Sequence, residues 1–192
     1  MNVLIVFGSA HGSTEGIARR IAARLEGRGV RTSLQAAGEA TRGESTADAI
    51  IAGSAIHTSR WLPEAERFVL GLSAGFAGKP AWLFSVSSVG TTESFFPGPV
   101  AKVLRKLQKE PPPVPDLRRR FAVRGYTAFA GAVRTEDWGR MGTLFLRALG
   151  GHTGDHRNWP AVDAWADRIA EELGASLPRR PVSGRPGGAG AF

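Results

Sequence analysis

The chain has 192 residues, 42% of them hydrophobic, with no Cys and a net charge of +8. That length allows one domain with a substantial core, and the missing Cys excludes disulfides, thiolate metal sites and a Cys nucleophile. The four His residues are scattered along the chain, so no dedicated metal site is expected, and no apolar run reaches the roughly 18 residues of a membrane span and no basic leader precedes the first one, so the expected place is the cytoplasm.

Val3 to Phe7 reads as a buried strand, Gly8-Ser-Ala-His-Gly-Ser-Thr14 as a turn, and the residues through Leu25 as a helix. Small and hydroxylated residues at the start of a helix present free backbone N–H groups and the positive helix end to one anion. The turn has no Lys with which to reach the outer phosphates of a nucleoside triphosphate. Gly8 and Gly12 also lack the G-x-G-x-x-G spacing that admits a pyrophosphate. Ser9, His11, Ser13 and Thr14, with Ala10 and Gly12 between them, are enough to wrap one terminal phosphate, which points to a mononucleotide. The competing reading is an N-cap, in which Ser13 or Thr14 satisfies the first helical turn and nothing more.

Val30 to Leu34 is the second predicted strand and residues 38–46 a polar loop. The apolar run from Asp48 to Ser54 has the pattern of a central parallel strand buried on both faces. A loop from Ser54 through Ala55, Ile56 and His57 to Trp61 leads to a helix from near Leu62 to Gly71, with Phe68 and Leu72 inward. Pro80 to Ser87 is the fourth strand. Ser88, Val89 and Gly90 open a long loop to Pro99, in which Phe95 and Phe96 pin the loop to the body, and a helix follows over Val100 to Leu107. Pro111, Pro112, Pro113 and Pro115 forbid helix and predict an extended connector before Arg118 to Arg120. Gly125 to Val133 is the fifth strand, and Pro160 to Leu173 the last helix, with Pro near its start and Gly174 beyond its end.

Strands alternating with helices predict an α/β fold, a doubly wound five-stranded parallel sheet. Ligands of such sheets bind beyond the carboxyl ends of the strands, at the switch point of the strand order. The loops Ser9 to Thr14, Ser54 to Trp61 and Ser87 to Phe96 are therefore expected to meet. The domain spans residues 1–174, with a helical insertion at about 134–159. Residues 175–192, rich in Pro, Gly and Arg, are expected to be a disordered tail. Residues 101–124 carry eight Lys/Arg against two acids, and the tail three Arg and no acid. This basicity is either a solvated face or an attraction for an anionic membrane surface, nucleic acid or an acidic partner.

The first loop resembles the hydroxyl-rich phosphate loop of flavodoxins, and the likeness runs from Asn2 to about Leu173. Within that family the chain is most similar to menaquinone-dependent protoporphyrinogen oxidases, through Ile51-Ala-Gly-Ser-Ala-Ile56, Phe84-Ser-Val-Ser87, Ala130-Gly-Ala132 and Leu149-Gly-Gly-His-Thr-Gly154 at the end of the insertion. The resemblance implies FMN as cofactor. Its phosphate would lie on Ser9 to Thr14, and its ring between Ser54, Ala55, Ile56, His57 and Trp61 on one side and Ser87, Ser88, Val89 and Gly90 on the other. Trp61 either stacks on the ring or starts the helix core. His57 either meets the flavin edge or lies on the surface. No catalytic residue declares itself, the only Tyr is Tyr126, and residues 88–94 hold no aromatic.

In the insertion, Arg140, Thr143 and Arg147 share one helical face while Trp138, Met141, Leu144, Phe145, Leu146, Ala148 and Leu149 form a wide apolar arc. That arc is either packed on the body or offered to a substrate, membrane or second subunit. The implied function is an FMN-dependent oxidoreductase acting on a bulky hydrophobic substrate such as protoporphyrinogen or a quinone, cytoplasmic or peripheral to the inner face of the membrane. The alternatives are a non-enzymatic electron carrier with an acidic redox partner, or a deazaflavin-binding relative. Nucleic acid is not an expected partner.

Overall fold

The computed structural model describes residues 1–39, 47–72, 76, 78–133, 144, 147–148 and 150–174. Most of the insertion face, with Arg140 and Thr143, and the tail 175–192 lie outside the described residues. The elements run β1 (Asn2–Gly8), α1 (Ser13–Glu26), β2 (Arg31–Ala36), β3 (Ala49–His57), β4 (Arg60–Trp61) and α2 (Pro63–Leu70). They continue as β5 (Pro80–Ser87), α3 (Gly98–Leu107), α4 (Val114–Arg120), β6 (Ala122–Ala130), β7 (Ala132–Val133), β8 (Gly154–Asp155) and α5 (Trp159–Glu172).

Period-two alternation decides which side chain faces which layer. On β1, Val3, Ile5 and Phe7 point to one side, where they pack with Ile17, Ile21 and Leu25 of α1 and Val162 and Ile169 of α5. Leu4 and Val6 point to the other, where Ala65 and Val69 of α2 and Leu117 of α4 close the second core. Both faces of the sheet are covered, as its unbroken apolar strands require. The parallel strands run in the order β2-β1-β3-β5-β6, so the order reverses beside β1. In register, Gly8 stands beside Ser54 and Ser54 beside Ser85, which brings the carboxyl ends of β1, β3 and β5 together.

Several boundaries differ from the sequence reading. β2 is shifted, running Arg31–Ala36 rather than from Val30. β3 continues three residues past Ser54 to His57, because the antiparallel partner β4 pairs Ile56 with Trp61 and His57 with Arg60. The proline-rich connector contains helix α4, with Pro113 at its N-cap. Pro115 falls in the first turn, where its missing N–H is one that no helix satisfies internally, and burial of Val114 and Leu117 holds the turn down. The last parallel strand starts at Ala122, not Gly125, and breaks at Gly131 between β6 and β7.

Among the described residues no helix is long and apolar enough to cross a membrane, and no group of three or more His, Asp or Glu side chains is placed to hold a metal.

Candidate cofactor site

The turn after β1 is built from its own residues. Ser9 Oγ accepts a hydrogen bond from Gly12 N–H at 3.0 Å, and Gly12 takes φ 79 to redirect the chain into α1, a conformation that costs glycine little. Gly12 occupies the N-cap, so no side chain caps the helix. The capping reading of Ser13 and Thr14 is thereby overturned. Ser13 Oγ instead accepts from Ala132 N–H at 2.8 Å, tying the cradle to the end of the sheet. Thr14 is 1% exposed, and its Oγ1 has no hydrogen-bond partner. A buried hydroxyl left unmatched costs about 1–3 kcal/mol, so a turn with uncapped N–H groups and an orphaned Thr hydroxyl is unfinished without an anion. His11 and Ala10 are exposed on the same turn.

A cavity of about 820 Å³ opens beside this turn toward β2. Its lining includes Glu15, Glu39 and Glu64 against the single cation Arg19, a balance that repels a phosphate. The anion therefore belongs on the helix end and not in this cavity.

The second loop is a tight hairpin. Thr58 and Ser59 sit at φ 47 and φ 63, the left-handed region that a two-residue hairpin turn demands and that a β-branched residue adopts rarely. His57 is exposed at the end of β3, with Ala55 and Ile56 half-buried before it. Two sequence expectations fail here. Ser54 is fully buried; its hydroxyl accepts from Leu62 N–H at 2.9 Å and donates to Ala55 O, which leaves it shaping the β3–α2 junction. Trp61 is 2% exposed, and its indole N–H donates to Ser85 Oγ at 2.8 Å. The ring belongs to the core and is not offered for stacking. Tyr126 donates to the same Ser85 Oγ from β6 at 3.1 Å, and burial pushes its phenol pKa up.

The third loop folds back on itself. Ser87 Oγ donates to Val89 O and accepts from Val89 N–H, and Ser88 O accepts from Phe95 N–H at 2.9 Å. Val89 and Gly90 are buried, and a Cβ on Gly90 would lie 2.3 Å from Ala130 N. Gly90, expected to face the cofactor, instead packs against the end of β6, and Val89, expected there too, is buried and bridged to Ser94. Ser87 and Ser88 remain half-buried, and Phe95, 4% exposed, anchors the loop.

One segment of the site escaped the sequence reading. Residues 150–158 run along both the third loop and the cradle. His152 N–H donates to Phe95 O, and His156 N–H to Gly131 O. Asn158 reaches Glu93 Oε1 at 3.1 Å while its own Oδ1 caps α5 through Ala161 N–H. Asn one residue before Trp159-Pro160 is a legible helix start; its contact with the third loop is not.

An open parallel sheet whose ligand-bearing loops converge at the switch point, with an anion cradle on the first of them, defines a mononucleotide-binding α/β protein. The flavodoxin domain matches residues 4–158, and the chain belongs to that family. No protein of curated function matches the sequence. Among solved structures the fold is similar to a flavodoxin from the domain Archaea, at 16% identity over 91% of this chain and 99% of that one with a TM-score of 0.55. It is also similar to Flavodoxin 2 from Bacillus cereus, at 20% identity over 90% and 99% with a TM-score of 0.54. Rubredoxin oxygen:oxidoreductase from Desulfovibrio gigas matches at 19% identity over 91% of this chain but 36% of that chain, with a TM-score of 0.57.

FMN is accordingly the cofactor, and the residues present fit it. The uncapped N–H groups at Ser13 and beyond, the buried Thr14 hydroxyl and the O–H groups of Ser9 and Ser13 would hold its phosphate.

Proposed function

We propose that the protein is an FMN-dependent oxidoreductase of the cytoplasm whose substrate is a bulky apolar molecule of the porphyrinogen or quinone kind. The observation that carries this reading is a cleft of about 440 Å³ beside the β3–β4 hairpin, a size typical of small-molecule sites. Its lining mixes apolar Leu62, Pro63 and Leu70 with His57, Arg60, Glu66 and Arg67. Arg60 is engaged by Glu66 at 2.7 Å, while Arg67 donates to Pro63 O and keeps its charge uncompensated among the described residues. Such a lining suits a flat apolar body with an electron-rich or carboxylate edge. When bound, FMN supplies the electron transfer; the chain orients its phosphate, holds the hairpin and binds the substrate edge.

The test is turnover of protoporphyrinogen by the FMN-loaded protein with a soluble menaquinone analogue as sole acceptor. An Arg60→Glu, Arg67→Glu variant is expected to keep FMN and lose about tenfold in kcat/KM, or about 1.4 kcal/mol of transition-state binding.

A second reading has its own observation. Helix α3 exposes Val103 (56%) and Leu107 (70%) on the face that also bears Lys102 and Lys106. A basic and apolar face of this kind would dock an acidic redox partner. Absence of turnover with any quinone, together with electron delivery to an acidic protein, would replace the enzyme by this carrier.

A further inference from the structure

We infer that Arg157, outside the hydroxyl-rich turn, is a phosphate ligand of the cofactor and sets the preference for FMN over riboflavin. The inference rests on FMN as the cofactor and adds a cation to a cradle otherwise made of hydroxyl and N–H groups.

The side chain is held in place from three directions. Its Nε and Nη2 donate to the two oxygens of Asp155, its guanidinium lies 4.5 Å from the centre of the Trp159 ring, and its Nη1 lies over Gly16, where an added Cβ would come within 2.5 Å of it. Only 20% of the side chain is exposed. Among the described residues Nη1 has no hydrogen-bond partner, so two N–H donors are left over the first turn of α1.

The backbone that carries Arg157 is fastened to the cradle itself. Asp155 pairs with Ala132 in the β7–β8 ladder, and Ala132 N–H donates to Ser13 Oγ. His156 N–H is bound to Gly131 O at 3.1 Å.

Electrostatics gives the arrangement its meaning. The N-terminus of a helix carries roughly half a positive charge, and a cation beside it is unfavourable. Asp155 neutralises the guanidinium only in part, because the helix end and the uncapped N–H groups add to the same field. A dianionic phosphate turns this repulsion into attraction. In the same step it engages the unmatched Thr14 hydroxyl and the spare face of the guanidinium, which is shaped to bind phosphate oxygens. Gly16 is the companion requirement, since any larger residue pushes Nη1 off the helix.

The competing role is a clip that joins β8 to α5 through Asp155 and Trp159, with no part in binding. Fluorescence titration of flavin-free protein with FMN and with riboflavin separates the two. Arg157→Gln is expected to weaken FMN about tenfold and to leave riboflavin unchanged. Gly16→Ala, which raises helix propensity and so keeps the fold, is expected to weaken FMN several-fold by displacing the guanidinium, again without effect on riboflavin. In the wild type the FMN preference should shrink as salt rises. Equal losses for both flavins, or FMN binding unchanged in both variants, overturns the inference and leaves Arg157 as the clip. Equal affinity of the wild-type protein for FMN and riboflavin overturns the phosphate cradle itself, and this role with it.

Discussion

The two sides of the cofactor crevice are built on different principles. The cradle side is local: seven consecutive residues, Gly8 to Thr14, contain the turn, the helix start and the hydroxyl groups. The hairpin side is assembled from β3, β4 and the β5–α3 loop, which meet only because the strand order places them together, and residues 150–158 tie that loop to the cradle from far along the chain. Local chemistry is readable in a sequence, whereas assembled chemistry depends on which residues the fold spends on its own core. Trp61 shows the difference, as an aromatic in a ligand-flanking loop that the fold uses for packing.

The largest expected effect breaks this comparison if it is wrong. Trp61→Ala empties a site that is 2% exposed and strips Ser85 Oγ of its indole partner, so it should cost about 3–5 kcal/mol of stability in urea or thermal unfolding. Trp61→Phe should fold, lose about 1 kcal/mol for the missing hydrogen bond, and bind FMN as the wild type does. A marked change in flavin affinity or fluorescence in Trp61→Phe would put the ring back in the site.

The same contrast explains what the sequence could and could not disclose. Parallel strands buried on both faces announce themselves as runs such as Val3 to Phe7 and Ile50 to Ala52, and their parallel sense follows from alternation with helices. The end of β3 at His57 was hidden because its last residues are held by β4, two residues long, whose only signal is the turn Thr58-Ser59, and neither residue is a usual choice for positive φ. Helix α4 was hidden because four prolines look like helix breakers unless one knows which of them fall at the cap and first turn. Gly90 looked like a loop residue facing a ligand, and only the proximity of Ala130 shows that its missing side chain serves close packing. Arg157 had no local signal at all: its value lies in Gly16, more than a hundred residues earlier.

The second effect sharpens the cradle side. Ser13→Ala with Thr14→Ala removes two hydroxyl donors to a charged group, each worth roughly 1.5–3 kcal/mol, and leaves Ala132 N–H without its acceptor. FMN affinity is expected to fall at least about a hundredfold, near 2.7 kcal/mol, while riboflavin affinity stays level. Isothermal titration with both flavins reads it. Comparable losses for the two would mean that the substitutions damage the fold at Ala132, and that the cradle is less local than its sequence suggests.

The smallest effect concerns what holds the cradle helix in place. Helix α1 is laced to α5 by paired hydrogen bonds of 2.7 Å from Arg20 to Asp163 and from Arg24 to Asp167, and Arg28 adds a third contact to Asp167 at 2.9 Å. The hydrogen bonds from Arg20 and Arg24 hold the Asp163 and Asp167 carboxyls below the usual carboxylate range, against a weaker opposing desolvation. A carboxyl with a lowered folded pKa is protonated more readily in the unfolded chain. Its contribution is therefore complete above the unfolded value near 3.8 and is lost as pH falls through the folded one. An Asp163→Asn, Asp167→Asn variant should melt slightly below the wild type at pH 7, and the gap should shrink as pH falls below the unfolded value near 3.8 and narrow in high salt, since the arginines of these pairs face solvent. A gap that survives both treatments would show that the two aspartates act by shape, through packing of α1 on α5, and not by charge. FMN binding should be unaffected at neutral pH in either case, because the lacing lies along the helices, past the turn at Gly12 to Gly16 that faces the phosphate.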